Sequence, residues 1–76
     1  MKIKRKHLTL EARKAFAHEV REQLSRLGVT HGTLALACSD ALVTEPYVKA
    51  ILRGQVMSNS RKMRAIAAAL GLNDPR

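Results

Sequence analysis

A chain of 76 residues with 46% hydrophobic and 26% charged residues has room for one globular domain and is too apolar for a disordered segment. At that length it buries only about 60% of the surface it exposes when unfolded, so a second subunit can add to its stability. Phe16 and Tyr47 are the only aromatics, and the abundance of Ala, Leu, Arg, Lys and Glu without an alternating β-branched run excludes a sheet core.

Taken in chain order, residues 1–8 read as a flexible basic arm, with Lys2, Lys4, Arg5 and Lys6 and no acid. Residues 9–72 form the expected domain. Thr9 is a suitable N-cap, Glu11 falls in the first turn, and Phe16, Val20, Leu24 and Leu27 recur at the spacing of one apolar helical stripe. Gly28 can take the positive φ that ends a helix, so a first helix is predicted from Leu10 to Leu27.

Either Thr30 or Thr33 can cap the second helix. Thr33 is preferred, because Gly32 weakens any helical turn placed between them. That start predicts a helix of about nine residues with Ala37, Cys38 and Ala41 facing inward. A turn at Leu42 and Val43 follows, and Thr44 caps a third helix in which Glu45 suits the positive end of the helix dipole and Pro46 removes no internal hydrogen bond. Val48 and Ile51 are its buried anchors, while Thr44, Glu45, Tyr47, Lys49, Ala50 and Arg53 make its exposed face.

After Gly54 the stretch QVMSNS reads as a loop, and Ser58 or Asn59 caps a last helix with Met63, Ile66, Ala67 and Leu70 on its apolar side. Gly71 ends it, and residues 73–76 are a tail.

The net charge of +8 is unevenly placed. Residues 7–48 hold four basic and five acidic groups, whereas residues 49–64 hold Lys49, Arg53, Arg61, Lys62 and Arg64 and no acid. Two basic blocks thus carry the excess, beside the third helix and in the arm. Concentrated in this way, positive charge releases counterions from a phosphate backbone, an attraction that weakens as salt rises. The plain alternative is a solvated helix face and a solubilising tail.

Other chemistry finds little support. His7, His18 and His31 do not pair with Cys38 at zinc-ligand spacing, and neither an activated nucleophile nor a glycine-rich phosphate loop is recognisable. No enzyme activity, metal, cofactor or small-molecule ligand is expected. Scarce aromatics argue against a single-strand binder that stacks bases. A lone cysteine in an apolar run reads as a buried thiol. No stretch approaches the roughly 18 apolar residues of a membrane span, and LTLEARKAF after the basic start is unlike a signal-peptide core. The expected compartment is the cytoplasm, on the nucleoid when the protein is bound to DNA.

From Leu24 to Leu72 these residues resemble the lambda-repressor and Cro type of helix-turn-helix domain, the XRE-type regulators of phages, plasmids and bacteria. Within TLALACSDALVTEPYVKAILRG, Thr33–Gly54, Cys38 matches the small residue of the first motif helix, and Leu42-Val43-Thr44 matches the turn. Val48 and Ile51 match the packing positions of the recognition helix, and IAAALGL is similar to the end of the family's fourth helix. Leu42 departs from the pattern, standing where glycine is usual, and Ala37 and Ala41 are smaller than the usual leucines.

The resemblance implies an all-α domain of four to five helices that binds double-stranded DNA. Its base-reading positions fall on Thr44, Glu45, Pro46, Lys49 and Ala50, with Arg53 near the backbone. Chemistry agrees in part: Glu45 can accept from a cytosine amino group, Lys49 can donate to guanine, and Ala50 can touch a thymine methyl. Glu45 serves equally well as a first-turn acid. Thr33, Tyr47, Arg61, Lys62, Arg64 and the arm are expected at phosphates. One short helix contacts few base pairs, so a homodimer on an inverted-repeat operator is expected, acting as a repressor. Two alternatives stand beside it: an antitoxin-like or adaptor module that holds a protein partner, and an RNA-binding regulator.

Overall fold

Each helix begins on a hydroxyl. In the computed structural model, which describes residues 8–56 and 60–73, α1 spans Leu10–Leu27, α2 His31–Ala37, α3 Glu45–Leu52 and α4 Arg61–Leu70. A 3-10 turn at Ser39–Ala41 links α2 to α3, and no strand occurs among the described residues. Thr9, Thr30, Thr44 and Ser60 precede the four helices in extended conformation. Their side-chain oxygens accept hydrogen bonds from the amides of Ala12, Thr33, Tyr47 and Met63. Each cap satisfies an amide that the helix start leaves free, a contribution of about 1 kcal/mol.

Two starts differ from the sequence expectation. Thr30, not Thr33, caps α2, so the helix takes in Gly32 and runs for seven residues. Gly32 is tolerated because it sits in the first turn, where glycine interrupts little of the hydrogen-bond ladder. Ser60 caps α4. Ser58 and Asn59, the expected caps, lie outside the described residues, as do the arm cations Lys2, Lys4, Arg5 and Lys6.

Three of the four helices lead into one shared geometry. α1, α3 and α4 lead into Gly28, Gly54 and Gly71 at φ 65, 71 and 70°. The next amides, of Val29, Gln55 and Leu72, reach back to the carbonyls of Leu24, Ala50 and Ala67 at 2.8–3.0 Å. The 3-10 turn closes in the same manner but on a leucine: Leu42 has φ 62°, its amide bonds Ser39 O at 2.9 Å, and the Val43 amide reaches Cys38 O at 3.4 Å. Holding a side chain in that left-handed conformation costs about 1 kcal/mol. The position where the resemblance expects glycine thus keeps a glycine-like backbone.

Packing follows from these boundaries. Phe16, Ala17, Val20 and Leu24 of α1 face Leu34 and Ala35 of α2, Val48 and Ile51 of α3, and Met63, Ile66, Ala67 and Leu70 of α4, with Cys38 and Val43 closing the middle. No polar or charged residue is buried among the described residues.

Three inward expectations fail. Leu27 is 53% exposed, and the half-buried Val29, just after the helix end, packs against the core. Ala37 is exposed and Ala41 only half-buried, since α2 ends at Ala37 and Leu34, Ala35 and Cys38 supply its inward arc. Leu8, assigned above to the arm, is 2% exposed and belongs to the core, so the folded body begins one residue earlier than expected.

Polar side chains of α1 tie down neighbouring helix ends. Arg21 Nη2 donates to Leu52 O and Arg13 Nη1 to Gly54 O, both at 3.1 Å, and Gln23 Nε2 donates to Leu70 O at 2.8 Å. These carbonyls lie where the ends of α3 and α4 leave acceptors without intrahelical partners, so the bonds fix both ends against α1.

Candidate nucleic-acid interface

α3 presents two unlike sides because of its start. Thr44 is extended at φ −116°, ψ 163°, and accepts from the Tyr47 amide at 3.4 Å. Pro46, in the first turn, lacks only an amide that no intrahelical carbonyl would have used. From that start the 3.6-residue repeat sends Val48 and Ile51 inward, at 0% and 2% exposure, and leaves Glu45, Pro46, Lys49 and Arg53 outward.

Glu45, Lys49 and Arg53 stack at intervals of four residues. Lys49 Nζ lies 3.6 Å from Glu45 Oε2 in an ion pair open to solvent, and such a pair contributes only about 0.3–0.5 kcal/mol. Its value is geometric, because it lines up an acceptor and a donor on the open surface. Glu45 also adjoins the start of α2: a Cβ added at Gly32 would lie 3.6 Å from Glu45 Oε1, an ordinary contact.

Of the positions expected to read bases, Thr44, Glu45, Pro46 and Lys49 are exposed, and Ala50 is half-buried. Among those expected at phosphates, Arg53, Arg61 and Arg64 are exposed. Tyr47 differs from the expected open position. It is half-buried between α3 and α4, its hydroxyl 3.1 Å from Ser60 Oγ and its ring beneath Lys62 Nζ, 5.3 Å from the centroid. Tyr47 therefore serves as a strut that holds the basic start of α4 beside α3, and it draws Lys62 toward that flank. Thr33 also differs, because its amide donates to Thr30 Oγ1 at 3.1 Å and its hydroxyl lies 2.9 Å from the same oxygen. The cap thus uses the amide that was expected to meet a phosphate.

Two further residues join this surface. A shallow cleft of about 380 Å³ beside α3 is lined by Arg21 of α1, His31 of α2, and Lys49, Leu52 and Arg53. Arg21 borders the buried stripe of α1, a register from which a long cation can reach a neighbouring helix end. His31 becomes part of α2 only when that helix starts at Thr30.

Burial raises the Cys38 thiol above its ordinary pKa, and its Sγ lies 3.6 Å from Ala65 O as a weak donor. Among the described residues no group of three or more His, Cys, Asp or Glu is placed to hold a metal ion, and no helix is long and apolar enough to cross a membrane. Comparison of the chain with protein-family models, curated proteins and solved structures finds no match.

Proposed function

We propose that this chain is a helix-turn-helix regulator of the lambda-repressor and Cro type that binds duplex DNA sequence-specifically as a homodimer. It acts in the cytoplasm, repressing transcription by occupying an inverted-repeat operator. The observation that carries this reading is the outward column of Glu45, Lys49 and Arg53 on a helix anchored by Val48 and Ile51. A helix presented in this way suits a major groove, where Lys49 pairs with guanine and Glu45 with the cytosine amino group. The left-handed Leu42 supports the same reading, since it reproduces the backbone of a turn where the family uses glycine.

Around that helix, Arg53, Arg61 and Arg64 supply cations for the phosphates on either side of the groove. The arm cations Lys2, Lys4, Arg5 and Lys6 add attraction that is independent of sequence. Leu36 and Leu42, each 75% exposed, favour a second reading in which the chain chiefly holds a protein partner.

Selection from a random duplex pool, with structured RNA as competitor, tests the assignment. The expected result is enrichment of a palindromic duplex motif whose log affinity falls with log salt by about 0.9 per phosphate contact. Equal binding of all duplexes, preference for RNA, or absence of nucleic-acid binding overturns it.

A further inference from the structure

The cleft beside α3 gathers basic side chains from three helices. Arg21 enters from α1, His31 from α2, Lys49 from α3 and Arg53 from its C-terminal cap, with Leu52 as the apolar residue of the lining. Arg21 is held in place through the bond from Nη2 to Leu52 O, which leaves its remaining guanidinium donors for another acceptor. On the Lys49 side stands Glu45, 3.6 Å from the Lys49 ammonium and beside Gly32, the residue after His31. The charged groups that share the cleft with His31 are thus Arg21 from α1, Lys49 from α3 and Arg53 just past its end, and Glu45 adjoins them through Lys49. The residues lining the cleft include three fixed cations and no carboxylate.

That composition suits a phosphate, which takes charge-assisted hydrogen bonds from guanidinium and ammonium groups at close range. Histidine is the side chain type that ordinarily changes charge between pH 5 and 8. An anion in the cleft interacts more favourably with imidazolium than with imidazole, so anion binding and proton binding must assist each other to the same extent. The sign follows directly: duplex affinity rises as pH falls through the imidazole range.

We propose that Arg21, His31 and Arg53 of this cleft seat one phosphate of the duplex backbone, with Lys49 left to the groove, and that His31 takes up a proton as they do so. Binding is thereby proton-linked, a regulation that rests on the duplex-binding reading above.

The test measures fluorescence anisotropy of the full chain with a labelled random-sequence duplex, at fixed ionic strength from about pH 8 to about pH 5.5. Wild type should tighten about fivefold over that range, the size expected of one partly exposed charge pair. His31→Gln should lose this gain, its affinity staying level from about pH 8 to about pH 5.5. His18→Gln, which removes the partner of Glu22 on α1, and His7→Gln should keep it.

In parallel, pyrophosphate is titrated into the wild-type chain while the His31 imidazole resonance is followed by NMR. Movement of that resonance supports the anion site even if no duplex binds, an outcome that overturns the duplex reading instead. A His31→Gln variant with unaltered pH dependence, or a His31 resonance indifferent to pyrophosphate, overturns the proton linkage and leaves the duplex reading intact.

Discussion

The two sides of α3 are built from the same eight residues but serve different ends. Val48 and Ile51 are sealed into the body, where α1 packs on them from one direction and α2 from another. Glu45 and Lys49, one residue away from these anchors or a few at most, make only a solvent-screened ion pair. The inner side sets the position and stability of the helix, and the outer side has almost no share in either. Function can therefore be changed on one side with little effect on the fold.

The largest effect should come from the inner side. Ile51→Ala is expected to lower unfolding stability by about 3 kcal/mol, read as a fall in the urea midpoint, because it leaves a cavity between packed helices. Lys49→Ala, two residues earlier, should stay within about 0.5 kcal/mol of wild type in the same titration. Comparable losses for the two would break the distinction.

Leu42→Gly should stabilise the chain by about 0.5–1 kcal/mol, since it relieves a left-handed leucine whose side chain is mostly in water. Thermal unfolding would show it. A destabilised variant would mean that Leu42 contributes packing that offsets its backbone strain.

Tyr47→Phe sharpens the contrast from the flank. Losing the hydroxyl contact with Ser60 should cost about 0.5–1 kcal/mol, read as a lowered urea midpoint, and loosen the start of α4 in amide hydrogen exchange.

The smallest effect concerns Cys38. Burial raises its pKa, so the folded chain holds the thiol proton to higher pH than the unfolded chain does. This contribution is fully present below the unfolded thiol's pKa, about 8.5, and declines as pH rises through it toward the folded value. The stability difference between wild type and Cys38→Ala should narrow over that range, as measured by urea titrations. An unchanged difference would contradict it.

Much of the inner architecture is visible in the sequence because local rules decide it. The spacing of Met63, Ile66, Ala67 and Leu70 admits one inward face, and Thr44-Glu45-Pro46 admits one helix start. Local chemistry is less decisive at Thr30 and Thr33. Both are competent caps, and the boundary follows the packing of Leu34 and Ala35 against the other helices. Leu8 is hidden for a similar reason, as a lone apolar residue after a basic run has no periodic partner to reveal its burial. Tyr47 falls at a surface-compatible register, and only the placement of Ser60 and Lys62 turns it toward α4. The cleft is least legible, since Arg21, His31, Lys49 and Arg53 share no motif and are assembled by tertiary structure. The outer column of Glu45, Lys49 and Arg53 was legible because a single helix supplies it.

The most direct test of α3 as a DNA reader is duplex selection carried out in parallel with wild type and the folded Lys49→Ala variant. The account predicts a palindromic motif for wild type and a relaxed preference at one position of each half-site for the variant, where one good base contact discriminates by about 1–3 kcal/mol. The same motif with the same affinity from both proteins would contradict it.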